Sequence, residues 1–454
     1  MPIQSVNPYN NKLIQNFNET SQEEIEQKLQ HASKAYEIWK EVPFGEKSKL
    51  MDTVAELLKN KKDELAQLVT LEMGKPIREA RAEIEKCALV CNFYADNGEN
   101  FLKDELIESD AGKSFISYVP LGIILAVMPW NFPFWQVFRF AAPSLMAGNV
   151  GVLKHASNVP QCAIAIEQLF TEAGFPEGVF QNFLIGSSKV NNLIEDKRIK
   201  AVTLTGSEMA GSKVAECAGR NIKKTLLELG GSDPFIVLND ADLNKAVKVA
   251  VKSRMINCGQ SCIAAKRFIV EDSIHDEFVE KMIEKMKVLK IGDPTEETTD
   301  VGPMAREDLA NELLEQVNKS VEMGAKKVLG GDRTDRNGAF FNPTILTEVK
   351  PGMPAYHEEM FGPVATVIKV VDENEAIQVA NDSDFGLGGS IWTNDIQKGE
   401  TLARKVESGA VFVNGLVKSD PRLPFGGIKN SGYGRELSYL GIREFVNQKT
   451  IWVE

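Results

Sequence analysis

Histidine is almost missing from this chain, with 4 among 454 residues, and cysteine is sparse, with 6. Six scattered cysteines are no disulfide framework. Dispersed histidines offer no second ligand pair to join the CxxxC of Cys258 and Cys262, which argues against a zinc site. Long hydrophobic runs are lacking too. The longest, "VPLGIILAVMPWNFPFW" at 119–135, is interrupted by Gly122, Pro129, Asn131 and Pro133, which argues against a membrane span. Positive charge is in deficit: 52 Lys and Arg face 64 Asp and Glu, a formal net charge of −12, so neither nucleic acid nor an anionic membrane is expected as a general partner. The start, "MPIQSVNPYNNKLIQNF", lacks the charged end and apolar run of a secretory signal, so a cytoplasmic location is expected. In that reducing compartment attention moves to thiol chemistry.

What is present is an ordinary folding composition, 43% hydrophobic and 26% charged, in a chain long enough for two or three domains. Residues 20–108 read as helical, opening on "SQEEIEQKLQHASKAYEIWKEV", where a Ser precedes acidic residues and apolar positions at helical spacing. From residue 117 short β-branched runs alternate with helix-length stretches: "GIILAV", "NVGVLK", "GVFQNFLIG" and "AVTLTG". That alternation predicts βαβ units on a parallel sheet. A second series, "DPFIVL", "AKRFIVED", "GPVATVIKV", "GGSIWT" and "GAVFVNG", predicts a second α/β unit, with the joint at "LLELGGSDPF". The terminal run "IREFVNQKTIWVE" is β-rich and suits either a neighbouring subunit or the body of its own chain.

Five stretches carry candidate chemistry. In "NCGQSC" Cys262 is a nucleophile, half of a metal or redox pair with Cys258, or a buried thiol; a catalytic thiol needs help from its surroundings, because its free pKa of about 8.5 leaves it mostly protonated. "VMPWNFPFWQVFRF" sets Trp130 and Asn131 in a sharp turn. The Asn131 amide suits an oxygen that becomes negative, or simply bonds its own backbone. Arg139, among aromatic neighbours, must find an anion, and a structural carboxylate is the first expectation. "LTGSEMAGSK" places Gly206 and Gly211 at a strand-to-helix turn that suits a phosphate, and Lys154 ends a neighbouring strand, as in a dinucleotide site. Glu228 in "LLELGGSDP" is either a base made by burial or one half of a salt bridge, and "EEMFGPV" adds Glu359 in a loop.

In order, "PWNFP", "LTGSEMAG", "LELGG", "GQSC", "EEMFGPV" and "PFGGIKNSGYGRE" resemble the aldehyde dehydrogenase superfamily over essentially the whole chain. The resemblance implies an α/β fold of two Rossmann-like domains with a small β oligomerisation extension. Residues 1–101 and 121–229 would bind the cofactor, 230–430 would form the catalytic domain, and 102–120 with 440–454 would serve a homodimer or homotetramer. It further implies Cys262 as nucleophile, Asn131 as oxyanion donor and Glu228 as general base. Gly206 and Ser207 match the pyrophosphate turn, Lys154 the ribose contact, and Glu359 and Phe361 the nicotinamide side, with Trp130 beside them. Where many NAD-using members carry an acidic residue, this chain has Ser157, which spares a 2′-phosphate from repulsion; NADP is expected ahead of NAD.

The "KHASNVP" and "VKSDPRLPFGG" segments resemble bacterial succinate-semialdehyde dehydrogenases. That likeness turns Arg139 into a candidate clamp for the carboxylate of a small aldehyde substrate, assisted by Ser419, with Lys418 or Arg422 close by. Glutarate semialdehyde or a broader range of aldehydes is the alternative within the class. Outside it stands a cysteine hydrolase without cofactor, against which the phosphate-type turn speaks.

Overall fold

The computed structural model describes residues 3–454. An antiparallel strand pair, Gln4–Asn7 with Lys12–Asn16, precedes four helices: Gln22–Trp39, Phe44–Asn60, Lys62–Met73 and Ile77–Phe101, the last termed α1. The first starts where the Ser21 hydroxyl accepts from the Glu24 N–H and the Glu24 carboxylate accepts from the Ser21 N–H, the reciprocal cap encoded by "SQEE". The third stops at Gly74, whose φ of 78° and close approach to Pro303 both require a residue without a Cβ.

The first sheet contains β1 (Ile123–Met128), β2 (Val150–His155), β3 (Phe180–Asn182), β4 (Ile199–Thr205) and β5 (Lys224–Glu228), parallel in the order β5-β4-β1-β2-β3. Its inner strands are nearly continuous apolar runs because helices cover both faces. Helix α2 (Trp135–Met146) follows β1, and α3 (Glu208–Arg220) follows β4. The chain builds outward from β1 through β2 and β3, then returns to the other side of β1 for β4 and β5. The carboxyl ends of β1 and β4 therefore flank a topological switch point, where doubly wound sheets bind ligands. A Cβ at Gly211 would lie 2.7 Å from Leu229, so α3 sits close on the sheet.

The second sheet contains β6 (Pro234–Val237), β7 (Arg267–Glu271), β8 (Lys326–Leu329), β9 (Thr344–Thr347), β10 (Val364–Val370), β11 (Gly388–Trp392) and β12 (Ala410–Val413). Their order is β8-β9-β10-β7-β6-β11-β12, parallel except for β8 against β9. Strands β8 and β9 lie outside the alternating series read from the sequence: "KKVL" is a short, largely exposed edge with no inward pattern to mark it. Strand β3 is shorter than "GVFQNFLIG" suggests.

After the second sheet the chain returns to the first, where Gly432–Tyr433 pairs antiparallel with the end of β5. The terminal run forms Val446–Val453, paired residue by residue with Lys113–Pro120 of its own chain, with Glu105–Leu106 on the far side. Among the described residues no helix is long and apolar enough to cross a membrane.

Candidate active site

Between the helix Leu243–Met255 and β7 the chain makes a tight turn in which Asn257 (φ 53°), Cys258 (φ 54°) and Gly259 (φ 74°) are all left-handed. For the two non-glycine residues this costs about 1–3 kcal/mol each, so the surroundings must over-determine it. They do. The Asn257 N–H donates to Glu79 Oε2 at 2.6 Å, and Asn257 Nδ2 donates to the carbonyls of Asn131 (2.7 Å) and Gln260 (3.0 Å). Gln260 Oε1 accepts from the Ala305 N–H. The buried Lys266 ammonium donates to the carbonyls of Ser261 and Cys262, both at 2.8 Å, and pairs with Glu359 at 3.1 Å. A rigid, polar-stitched loop thus presents Cys262.

Cys262 is partly exposed, whereas Cys258 is sealed, and all six thiols are free. Burial pushes the Cys262 thiol up to about 12; Arg139 and Lys266 pull it down, while Glu228 and Glu359 push it up. Burial thus favours the thiol over the thiolate, and the sulfur must lose its proton to attack.

Glu228, at the end of β5, is 1% exposed. Burial holds its carboxyl well above the usual carboxylate range, with Arg139 opposing and Glu436 adding to the rise. No well-formed hydrogen bond reaches its oxygens, although the Gly427 amide draws it slightly down. A dry, poorly solvated carboxylate of this kind is a base.

Asn131 lies in the turn after β1, and its Nδ2 donates to the Gln260 carbonyl at 3.1 Å, which leaves one amide hydrogen for another acceptor. The turn is fixed from α1. Glu83 Oε1 accepts from the N–H groups of Phe134 (2.9 Å) and Trp135 (3.0 Å) at the start of α2, and its other oxygen pairs with the buried Lys75. Lys75 in turn lies 3.7 Å over the Phe132 ring.

Cys262, Arg139, Ser419, Lys86, Trp135 and Phe425 line one cavity of about 650 Å³. Arg139, expected as the carboxylate clamp, reaches this cavity with its charge already engaged. Its Nε pairs with Glu436, its Nη2 stands 4.0 Å from Glu228, and the guanidinium lies 4.6 Å over Phe425. The internal carboxylate that the aromatic surroundings first suggested is thus present, supplied from far along the chain. Ser419 is buried and its Oγ accepts from Lys86 Nζ at 2.7 Å. Lys418 and Arg422, adjacent in sequence, are both held by Asp420. Glu79, Glu83 and Lys86 on α1, with Lys266, join the site without any motif to mark them, and Glu436, the last residue of "PFGGIKNSGYGRE", joins it without having been singled out.

Strand register aligns the remaining candidates. Val127 stands opposite both Lys154 and Leu204, and Thr205 opposite Glu228, so Trp130, Lys154, Ser157, Gly206 and Ser207 share the carboxyl edge of the first sheet. Ser207 caps α3, its hydroxyl accepting from the Ala210 N–H at 3.4 Å. A Cβ at Gly206 would meet nothing closer than 3.6 Å, so packing does not demand glycine there; a phosphate laid against the turn would. Burial lowers the pKa of Lys154, and no carboxylate counters the effect, which leaves a buried cation suited to an anionic or hydroxylic ligand. Glu359 Oε1 accepts from the Gly231 N–H at 3.0 Å, and Phe361 meets Trp130 edge to face at 5.8 Å, between this edge and the Cys262 loop. These features fit a nicotinamide dinucleotide. Among the described residues no group of three or more His, Cys, Asp or Glu is arranged to hold a metal ion.

Residues 1–451 match the model of the aldehyde dehydrogenase family. The sequence is 54% identical over 453 residues to a probable succinate-semialdehyde dehydrogenase (NADP+) of Synechocystis sp., covering 100% of both chains. It is 50% identical over 459 residues to the succinate-semialdehyde dehydrogenase (NADP+) of Mycobacterium avium, covering 100% of this chain and 97% of that one. The crystal structure of succinic semialdehyde dehydrogenase from Streptococcus pyogenes in complex with NADP+ has a TM-score of 0.98 at 41% identity, over 99% of each chain.

Proposed function

We propose, from the premise that this chain belongs to the aldehyde dehydrogenase family, that it oxidises succinic semialdehyde to succinate with NADP+ favoured over NAD+. The names of the relatives from Synechocystis and Mycobacterium avium support the substrate and cofactor. The observation that carries the reading is the meeting of a partly exposed thiol, a dry carboxylate and a cation-lined cavity at Cys262.

Cys262 sulfur bonds to the aldehyde carbon as the thiol's proton is released to solvent. The carbonyl oxygen takes the negative charge, and the remaining Asn131 amide hydrogen and the Cys262 N–H donate to it. When bound, NADP+ supplies the acceptor for the hydride that this carbon loses. Cys262 is left as a thioester. Glu228 takes a proton from water, whose oxygen attacks the thioester carbon; the C–S bond breaks, the sulfur regains a proton and the acid leaves. Gly206 and Ser207 would hold the pyrophosphate, Lys154 the ribose, and Trp130, Glu359 and Phe361 the nicotinamide side. Ser157 leaves the 2′-phosphate unopposed.

In this reading the first sheet with the N-terminal helices binds the cofactor, the second sheet carries the nucleophile, and the ribbon of 102–120 and 440–454 joins subunits into a dimer or tetramer. Half-exposed Trp452 and Val453 and exposed Leu106 support that last role, and six free thiols suit the cytoplasm. A panel of C4 and C5 semialdehydes and uncharged aldehydes, each with NADP+ and NAD+, tests the proposal. Succinic semialdehyde with NADP+ should give the highest kcat/KM, and an equal value for an uncharged C4 aldehyde would count against it.

A further inference from the structure

We propose that the N-terminal hairpin 4–16 is a strap that holds the cofactor-selecting turn in place, with Gln4 and Ser5 as positioning residues for the 2′-phosphate; the inference rests on the NADP+ reading above. Ser157 lies in the turn between β2 and the helix Pro160–Glu172. That turn is thinly held. Inside it the Val159 N–H donates to the Ala156 carbonyl at 3.2 Å, and the Ala156 N–H donates to His155 Nδ1 at 2.9 Å. Among the described residues, the one hydrogen bond that reaches residues 156–159 from outside this turn and its helix comes from Gln4, whose N–H donates to the Ser157 carbonyl at 3.1 Å. Beside it the buried Ser5 hydroxyl accepts from Gln161 Nε2 at 2.9 Å. The helix itself offers an anion little, because the N–H groups of Gln161 and Cys162 in its first turn already donate to the two carboxylate oxygens of Glu72, at 3.0 and 2.9 Å. A 2′-phosphate here depends on Lys154 and on where the Ser157 main chain stands.

A two-stranded hairpin is marginally stable alone, so this one is only as rigid as its anchors. Its tip is fixed to the second unit. Asn7 Oδ1 closes the turn by accepting from the Tyr9 N–H at 3.0 Å, the Ala339 N–H donates to the Pro8 carbonyl at 2.9 Å, and Asn11 Nδ2 donates to Glu307 Oε1 at 2.7 Å. A Cβ at Gly338, where φ is 97°, would lie 2.3 Å from the Tyr9 carbonyl oxygen, so the two backbones touch. Past the hairpin the chain meets the loop after β3: the Thr20 N–H donates to the Leu184 carbonyl at 2.8 Å, and Glu19 Oε1 accepts from the Gly186 N–H at 3.0 Å. Residues 3–20 thus tie the loops at the carboxyl ends of β2 and β3 to each other and to the unit that carries Cys262.

The test measures Kd for NADPH and for NADH by fluorescence titration, without turnover, in the full-length wild type, Gln4→Pro, Gln4→Ala and Ser5→Ala. Proline removes the Gln4 N–H and is tolerated on an edge strand; alanine keeps that donor. Gln4→Pro should raise the Kd for NADPH roughly 3- to 10-fold and leave that for NADH within about twofold, while Gln4→Ala matches the wild type. The KM for NADP+ should follow the Kd for NADPH, with kcat and the KM for aldehyde at saturating cofactor unchanged. Should Gln4→Pro fail to fold, Ser5→Ala carries the test, with a rise of about 2- to 5-fold for NADPH alone. An unchanged Kd for NADPH in the folded variants, an equal rise for both nucleotides, or a Gln4→Ala as weak as Gln4→Pro overturns the inference. A wild type that binds NADPH no more tightly than NADH defeats the NADP+ reading itself.

Discussion

Two kinds of element surround Cys262. The turn after β1 carries Asn131, the end of β5 carries Glu228 and the turn before β7 carries Cys262 itself; one face of helix α1 brings Glu79, Glu83 and Lys86 to the cavity that Cys262 lines. The loops hold groups whose ordinary chemistry is altered by their surroundings: a thiol pushed up to about 12 and a carboxyl raised by burial. The helix mostly holds charges that fix other things, since Glu83 anchors the start of α2 and Glu79 anchors the left-handed turn at Asn257. The difference teaches that reactivity here is local to three turns, whereas their mutual placement depends on a helix more than a hundred residues upstream of two of them.

If that division is right, substitutions in the loops should stop chemistry and those on the helix should loosen it. Cys262→Ala should reduce aldehyde oxidation by at least about 10⁴-fold while dinucleotide binding, followed by fluorescence titration, persists. Glu228→Gln should lower steady-state turnover roughly 10²- to 10⁴-fold yet retain a first-turnover burst of reduced nicotinamide in rapid mixing. Because burial raises the Glu228 carboxyl, its basic form gains population only as pH climbs past the usual carboxylate range. Wild-type hydrolysis of the thioester should accordingly rise with pH there, and Glu228→Gln should lose that limb. On the helix, Glu83→Gln should leave Lys75 buried and unpaired, lowering unfolding free energy by about 3–5 kcal/mol in a denaturant titration. The smallest effect belongs to the dinucleotide edge. Ser157→Glu should move the NADP+ to NAD+ preference about tenfold toward NAD+, with no change in stability.

The same division governs what could be read from the sequence. Inner strands such as "GIILAV" and "AKRFIVED" are legible because parallel strands buried on both faces are continuous apolar runs; β8, an exposed edge, has no such signature. Loop residues were legible because glycine and proline punctuate them. On α1, "REARAEIEKCALVC" reads like any solvated helix: Glu79, Glu83 and Lys86 share a face, but spacing cannot tell that this face looks inward. The Arg139 partner was hidden for another reason. Glu436 lies almost three hundred positions away, and the pair exists only because the chain returns to the first sheet.

That return also sets an order of events during synthesis on the ribosome. Glu228 emerges long before Phe425–Glu436, yet Gly426, Gly427, Glu436 and the strand Gly432–Tyr433 are what seal its carboxylate from water. A nascent chain that has already made Cys262 therefore still has a hydrated, weakly basic Glu228, so the water that is to cleave the thioester would stay unassisted until the late segment docks. The hydrolytic base is thus completed only when the fold is closed.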